Sequence, residues 1–341
     1  MIKFLNSIDI RFKFNLFFLI ILMLFAAILE MIGLSILPVI ISQVISGESA
    51  NNLIISNLFN YVNLEKNFSF FLAGTIFFFF FKNLFLAFVY FYELKFVYKI
   101  RKFNAEKLFS YYLFLPFSEY TKKNSSEFIK NISIENHNGC SSIMYALVLV
   151  RESFVLIFIA LFLLFSAPNI TIFSLCFLLS FLSVWIFFIR KKIYKIGELS
   201  KKSRSKFYKN LNESFNSFKE IKIFSIENKV IKEFIKNFSF SEKYVLMDSY
   251  IGKLPRLILE TIIVLLLFLI LIFYFVDQSG RIQSSLDVLI LLSIASLRLI
   301  PCFSTLSSSY LKMRFTKPAL ETVYQEILSQ NRNFRKKLSK N

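Results

Sequence analysis

The stretch Ser214–Phe234, SFNSFKEIKIFSIENKVIKEF, decides how this chain is read. It is basic and amphipathic, and it sits within residues 190–254, between two of the most hydrophobic spans in the sequence. A chain that merely crossed a membrane twice would need only a short turn there. The length of the interval and its lysines require their own explanation.

Composition sets the class. Of 341 residues, 56% are hydrophobic and 18% aromatic, yet the formal charge is +19. Mean hydropathy is +0.59. A soluble basic protein spreads its Lys and Arg among apolar residues. Here they form blocks between long apolar runs, the pattern of a polytopic membrane protein. With 7 Gly and 6 Pro, long disordered linkers are not expected.

Six stretches reach the roughly 20 apolar residues that a helix needs to cross a hydrocarbon core of about 30 Å. They are Phe14–Ile45, Phe68–Phe91, Met144–Phe165, Ile170–Ile189, Pro255–Val276 and Leu286–Leu306. The first follows Lys3, Arg11 and Lys13, but it outruns a signal-peptide core, contains Glu30 and lacks a small-residue cleavage pattern. It reads as a retained span.

Basic residues orient the spans. Besides the three before span one, they crowd into Lys95–Lys130, Arg190–Arg256 and Lys312–Lys340, while the opposite side carries only Lys66 and Arg281. Both termini are therefore expected in the cytoplasm of a multi-pass protein of the inner (plasma) membrane. This asymmetry accounts for most of the charge through the lipid bilayer, so nucleic-acid binding is not needed.

Outer connections are short, except Gly47–Asn67, and inner ones run to about 50 residues, too long for structureless loops in a compact protein. They continue the helical repeat. Phe96, Val97, Ile100, Phe103, Leu108 and Tyr111 recur between lysines and arginines, as do Phe215, Phe218, Ile221, Ile226, Val230, Phe234 and Phe238. About 25 residues of helix would project roughly 38 Å into the cytoplasm. Each pair of projecting helices must turn at a tip, LPFSEYTKKNSSEF in the first case and EIKIFSIENKV in the second. Pro116 stops one helix and Ser125 or Ser126 can cap the next. An apolar residue flanked by charges at such a tip suits docking on a soluble partner, or resting on anionic lipid.

Six spans, two long cytoplasmic hairpins and short outer turns resemble the transmembrane domain of ABC exporters. LPFSEYTKKNSSEFIKNIS resembles the first coupling helix and its sequel, with Phe117, Ser118, Glu119 and Tyr120 at the tip. NESFNSFKEIKIFSIENKVIKEF resembles the second, with Ile226, Glu227 and Asn228. ILEMIGLSILPVI, KLPRLILETI and SLRLIPCFSTL are similar to the subgroup that flips lipid-linked oligosaccharides, such as the flippase of bacterial protein N-glycosylation. The resemblance implies an all-α fold of six transmembrane helices with long cytoplasmic extensions and two coupling helices. It divides the chain into a cytoplasmic N-terminal segment (1–13), a transmembrane domain (14–328) and a basic cytoplasmic tail (329–341), where a nucleotide-binding domain is expected to follow. It also implies pairing with a second half-transporter, as a homodimer or heterodimer. The opening stretch becomes the arm that receives force from an ATPase.

No G-x-x-x-x-G-K-[ST] occurs, nor an LSGGQ-type signature. This chain is therefore expected to bind no cofactor itself, with ATP and Mg2+ acting through a partner nucleotide-binding domain, whether a separate chain or one lost by truncation. Cys140, Cys176 and Cys302 show no metal or disulfide spacing, and the lone His137 reads as a polar residue of a cytoplasmic helix.

Glu30, Lys82, Arg151, Glu152 and Arg298 lie inside apolar spans, where each charge costs roughly 2.5–3.5 kcal/mol on insertion scales. They should face a bundle interior or a wet cavity. Arg256 and Glu260, one turn apart, can partly neutralise each other. Pro255 beside Arg256 and Pro301 near Arg298 mark kinks at basic residues, a feature of a cavity wall. The resembled flippase lines its cavity with basic residues from spans two, five and six, places matched by Lys82, Arg256 and Arg298. Arginine suits a pyrophosphate through bidentate hydrogen bonds. Snorkelling of Lys82 and Arg298, or structural pairing such as Glu30 with Arg151, is the alternative. A different class of function, an ATP-independent membrane enzyme or scaffold acting on lipid-linked sugars, also stays open.

Overall fold

In lipid no water satisfies the backbone, so an apolar chain with few glycines settles into helices. The computed structural model describes residues 10–46, 68–121, 125–166, 168–276 and 282–338, and every regular element among them is helical. Helix α1 spans Ile10–Ser46 and α2 spans Phe68–Leu113. The short α3 (Phe117–Tyr120) and α4 (Ser125–Lys130) follow. A π-helical turn, Asn131–Glu135, then leads into α5, Asn136–Ser166. Next come α6 (Pro168–Asn216), the short α7 (Phe218–Ile223), α8 (Glu227–Val276) and α9 (Ile282–Leu338).

Among the described residues, three segments are long and apolar enough to cross a membrane: Phe12–Leu37, Phe70–Leu113 and Ser125–Phe165. Their outward faces are apolar too. Phe70, Phe77, Phe80, Phe88 and Phe91 of α2 are exposed, and only 11% of its most apolar window is buried. A surface of that kind belongs in hydrocarbon, and the chain is an α-helical membrane protein. The other three expected spans fall on α6, α8 and α9, where many side chains of residues 170–189 and 263–297 lie outside the described residues. The connections 47–67 and 277–281 expected on the opposite side, with Lys66 and Arg281, lie outside them as well.

The long intervals expected on the cytoplasmic side are helical in their described residues. Helix α2 runs unbroken past Phe91 to Leu113, α6 continues to Asn216, and α8 starts at Glu227. Helix α1 is continuous through residue 14 and α9 through residue 328.

Helix α9 is the centre of the bundle, packing on α5 most extensively and also on α1, α2, α6 and α8. Ala27, Val155, Ile159, Leu259, Leu299 and Phe303 join α1, α5, α8 and α9 in one buried cluster. Leu19, Met23, Val89, Phe96, Ile143 and Leu320 join α1, α2, α5 and α9 in a second. Toward the arms, Ile193 and Ile196 of α6 pack on Leu311 and Phe315 of α9. Gly197 permits that last contact, because a Cβ there would overlap the carbonyl oxygen of Phe315.

Candidate substrate cleft

Helices α1, α2 and α9 enclose a cleft of about 370 Å³, within the range of small-ligand sites. Its α1 wall is Glu30, Gly33, Leu34 and Leu37. Its α2 wall includes Phe79, Lys82, Asn83 and Tyr90, spread over about three helical turns, and α9 contributes Arg298. Three charges flagged by their place in apolar runs, Glu30, Lys82 and Arg298, thus share one site.

They are not equivalent. The Arg298 guanidinium donates a hydrogen bond to Glu30 Oε2, closing an ion pair between α9 and α1. Lys82 has no carboxylate at ion-pair distance among the described residues. Its ammonium lies 4.7 Å from the centroid of the Phe79 ring, a cation–π contact. Its side chain lies against Gly33, where a Cβ would come within 3.4 Å of both Cδ and Nζ.

Arg151 and Glu152 of α5 stand behind the cleft. Arg151 donates to both carboxylate oxygens of Glu93 at 2.6 Å and to Glu152 Oε1 at 3.3–3.4 Å. The Glu93 side chain is 0% exposed. The guanidinium carbon sits 4.4 Å from the centroid of Tyr90, a residue of the cleft wall. The considered pairing of Glu30 with Arg151 is therefore replaced by two others, Glu30 with Arg298 and Arg151 with Glu93. Glu93, two residues beyond the expected end of span two, is a buried charge behind the cleft that sequence reasoning missed, as it did Asn83 and Tyr90 of the wall. Its signal was a single acid inside the continuing apolar run FVYFYEL.

Arg256 is not brought to this cleft. It is exposed on α8, as is Glu260. Pro255 and Leu259, one residue before each, are buried and define the packed face of the helix. Of the two arginines near prolines, Arg298 lines this cleft and Arg256 does not.

Both hairpin tips carry short helices. In α3, with Pro116 at its N-cap, Phe117 is 80% exposed while Tyr120 stacks on Phe128 at 5.4 Å between ring centroids. Ser118 and Glu119 are exposed beside them. At the second tip, α7 stops at Ile223 and the turn passes through Ser225 at φ 50°, a left-handed position rarely taken by a serine. Ile226 ends the turn, while Glu227 and Asn228 start α8 instead of lying on the short helix. Lys222 Nζ donates to Glu227 Oε1 at 2.9 Å across the turn, and that hydrogen bond holds the carboxyl below its usual range. Phe218, Ile223, Phe224 and Ile226 remain exposed among these charges.

No protein-family model matches the chain.

Proposed function

We propose that this chain is the membrane-spanning subunit of an ATP-driven exporter or flippase. Its substrate is an anionic amphipathic molecule, such as a lipid-linked oligosaccharide. The observation that carries the reading is the cleft. It places an ammonium and a guanidinium, Lys82 and Arg298, between helices whose outer faces are apolar. A lipid-linked sugar has the matching halves, a charged phosphate region and an apolar chain. ATP and Mg2+ act through a nucleotide-binding domain or subunit, and two copies or two different halves enclose the pathway. The exposed apolar residues at both tips, Phe117 and Ile226 among them, offer that ATPase a place to push.

Binding of a fluorescent lipid-pyrophosphate sugar to the protein in nanodiscs tests the reading. Arg298→Ala weakens binding by about 1.5–3 kcal/mol, the scale of a hydrogen bond to a charged group. Arg298→Lys recovers part of this, because an ammonium keeps the charge but loses the planar fork. Lys82→Arg is tolerated or improves binding. Equal binding by Arg298→Ala and the parent at limiting probe makes Arg298 a purely structural cation and removes the reading's main support.

A further inference from the structure

Arg298 already holds an anion. Its guanidinium is engaged by the Glu30 carboxylate, and Glu30 is 5% exposed. An entering anionic headgroup meets one ammonium without a carboxylate partner, Lys82, and one guanidinium whose place is filled. We propose that Glu30 is an exchangeable counter-ion that competes with the anionic substrate for Arg298 and takes up a proton when displaced. The proposal rests on the anionic-substrate reading above and adds its regulation.

The surroundings leave the displaced carboxylate little choice. The titratable groups near Glu30 are Lys82 and Tyr90 from α2 and Arg298 and Cys302 from α9, and of these Lys82 and Arg298 are the cations. On α5, Glu152 acts on Arg298, while Arg151 is held by Glu93 and Glu152. A phosphate-type anion in the cleft claims Lys82 along with Arg298. No other cation lining the cleft remains for Glu30 among the described residues. A buried carboxylate parted from its cation is strongly disfavoured, so it neutralises by protonation. The exchange balances. The substrate oxygens take the guanidinium hydrogen bonds, one proton from solvent joins the Glu30 carboxylate, and Arg298 keeps its charge.

Binding that takes up a proton tightens as pH falls and weakens as pH rises, by up to about tenfold per pH unit. The full chain in nanodiscs is titrated with a lipid-linked pyrophosphate diester between about pH 6 and pH 8. A diester lacks the phosphate-monoester ionisation near pH 6, so the probe adds no slope of its own. The expected result is wild-type affinity falling at least about threefold across this range, within that limit. Glu30→Gln binds tighter at the upper end and with a flat profile. In an Arg298→Gln background, Glu30→Gln gives no gain, since there is nothing left to compete for. Should Glu30→Gln fail to fold, Glu30→Asp decides: a shorter carboxylate keeps the slope and binds tighter than wild type, and weaker binding by it overturns the proposal. Equal slopes for wild type and Glu30→Gln, both binding, make Glu30 a fixed structural partner and overturn the proposal while the substrate reading stands. Absence of diester binding by both forms overturns the two together.

Discussion

Replacing Arg151 by Met removes the only cation that touches Glu93 and Glu152 at ion-pair distance among the described residues. Glu93 is fully buried and its two oxygens have Arg151 as their partner at 2.6 Å, so truncation strands a buried carboxylate without its cation. Breaking a buried pair on one side costs about 3–5 kcal/mol. The lost contact with Tyr90 adds roughly 0.5–2 kcal/mol. Glu93→Gln with Arg151→Met removes the stranded charge, so the double variant should recover more than half of the single variant's loss. The assay is thermal unfolding in one defined lipid–detergent mixture, read as a double-mutant cycle. An Arg151→Met protein that unfolds within about 0.5 kcal/mol of the parent, the scale of a neutral surface change, refutes the claim that this triad braces the wall behind Tyr90.

Three further outcomes are expected. Gly197→Ala forces a methyl against the Phe315 carbonyl where α6 meets α9, and should cost about 1–3 kcal/mol by thermal unfolding; no cost means that the helices do not approach so closely. Asp248 of α8 is pushed by burial from 3.8 to about 6, against the pull of Lys312, and its Oδ1 has no hydrogen-bond partner among the described residues. The folded state thus binds this proton more tightly than the unfolded one, and stability falls by up to about 3 kcal/mol as pH rises from about 4 through 6. Asp248→Asn should flatten that part of the stability profile, and an unchanged profile refutes the assignment. In a Cys-free background, cysteines at Asn60 and Ser279 should label from outside and one at Ser203 should not; external labelling of Ser203 removes the six-crossing topology.

Much of this was legible in sequence because it depends on local periodicity. The arms of α2, α6 and α8 follow from apolar residues at helical steps between lysines, and the turn at Pro116 follows from proline's missing donor. Glu30, Lys82 and Arg298 stood out because charges in apolar spans are costly enough to need a reason. Their pairing was not legible. Whether Glu30 meets Arg298 or Arg151 depends on which helices are neighbours and how each is rotated, and no single-helix pattern encodes that. Arg256 shows the same limit within one helix, since a rotation of one residue separates it from the packed positions Pro255 and Leu259. Asp248, set in the stretch VLMDSYI, is half-buried on α8, and the helical repeat alone did not say which way its carboxyl would face.

The central claim is that this chain moves an anionic lipid-linked substrate across a bilayer under ATP control. Flipping of a fluorescent lipid-pyrophosphate sugar in proteoliposomes tests it most directly, with the nucleotide-binding partner supplied and protein amounts matched. The account predicts flipping that requires both the partner and ATP, and that slows at limiting substrate when Arg298 is replaced by Ala. Flipping that proceeds at the same rate without ATP, or none by a folded complex that hydrolyses ATP, would contradict it.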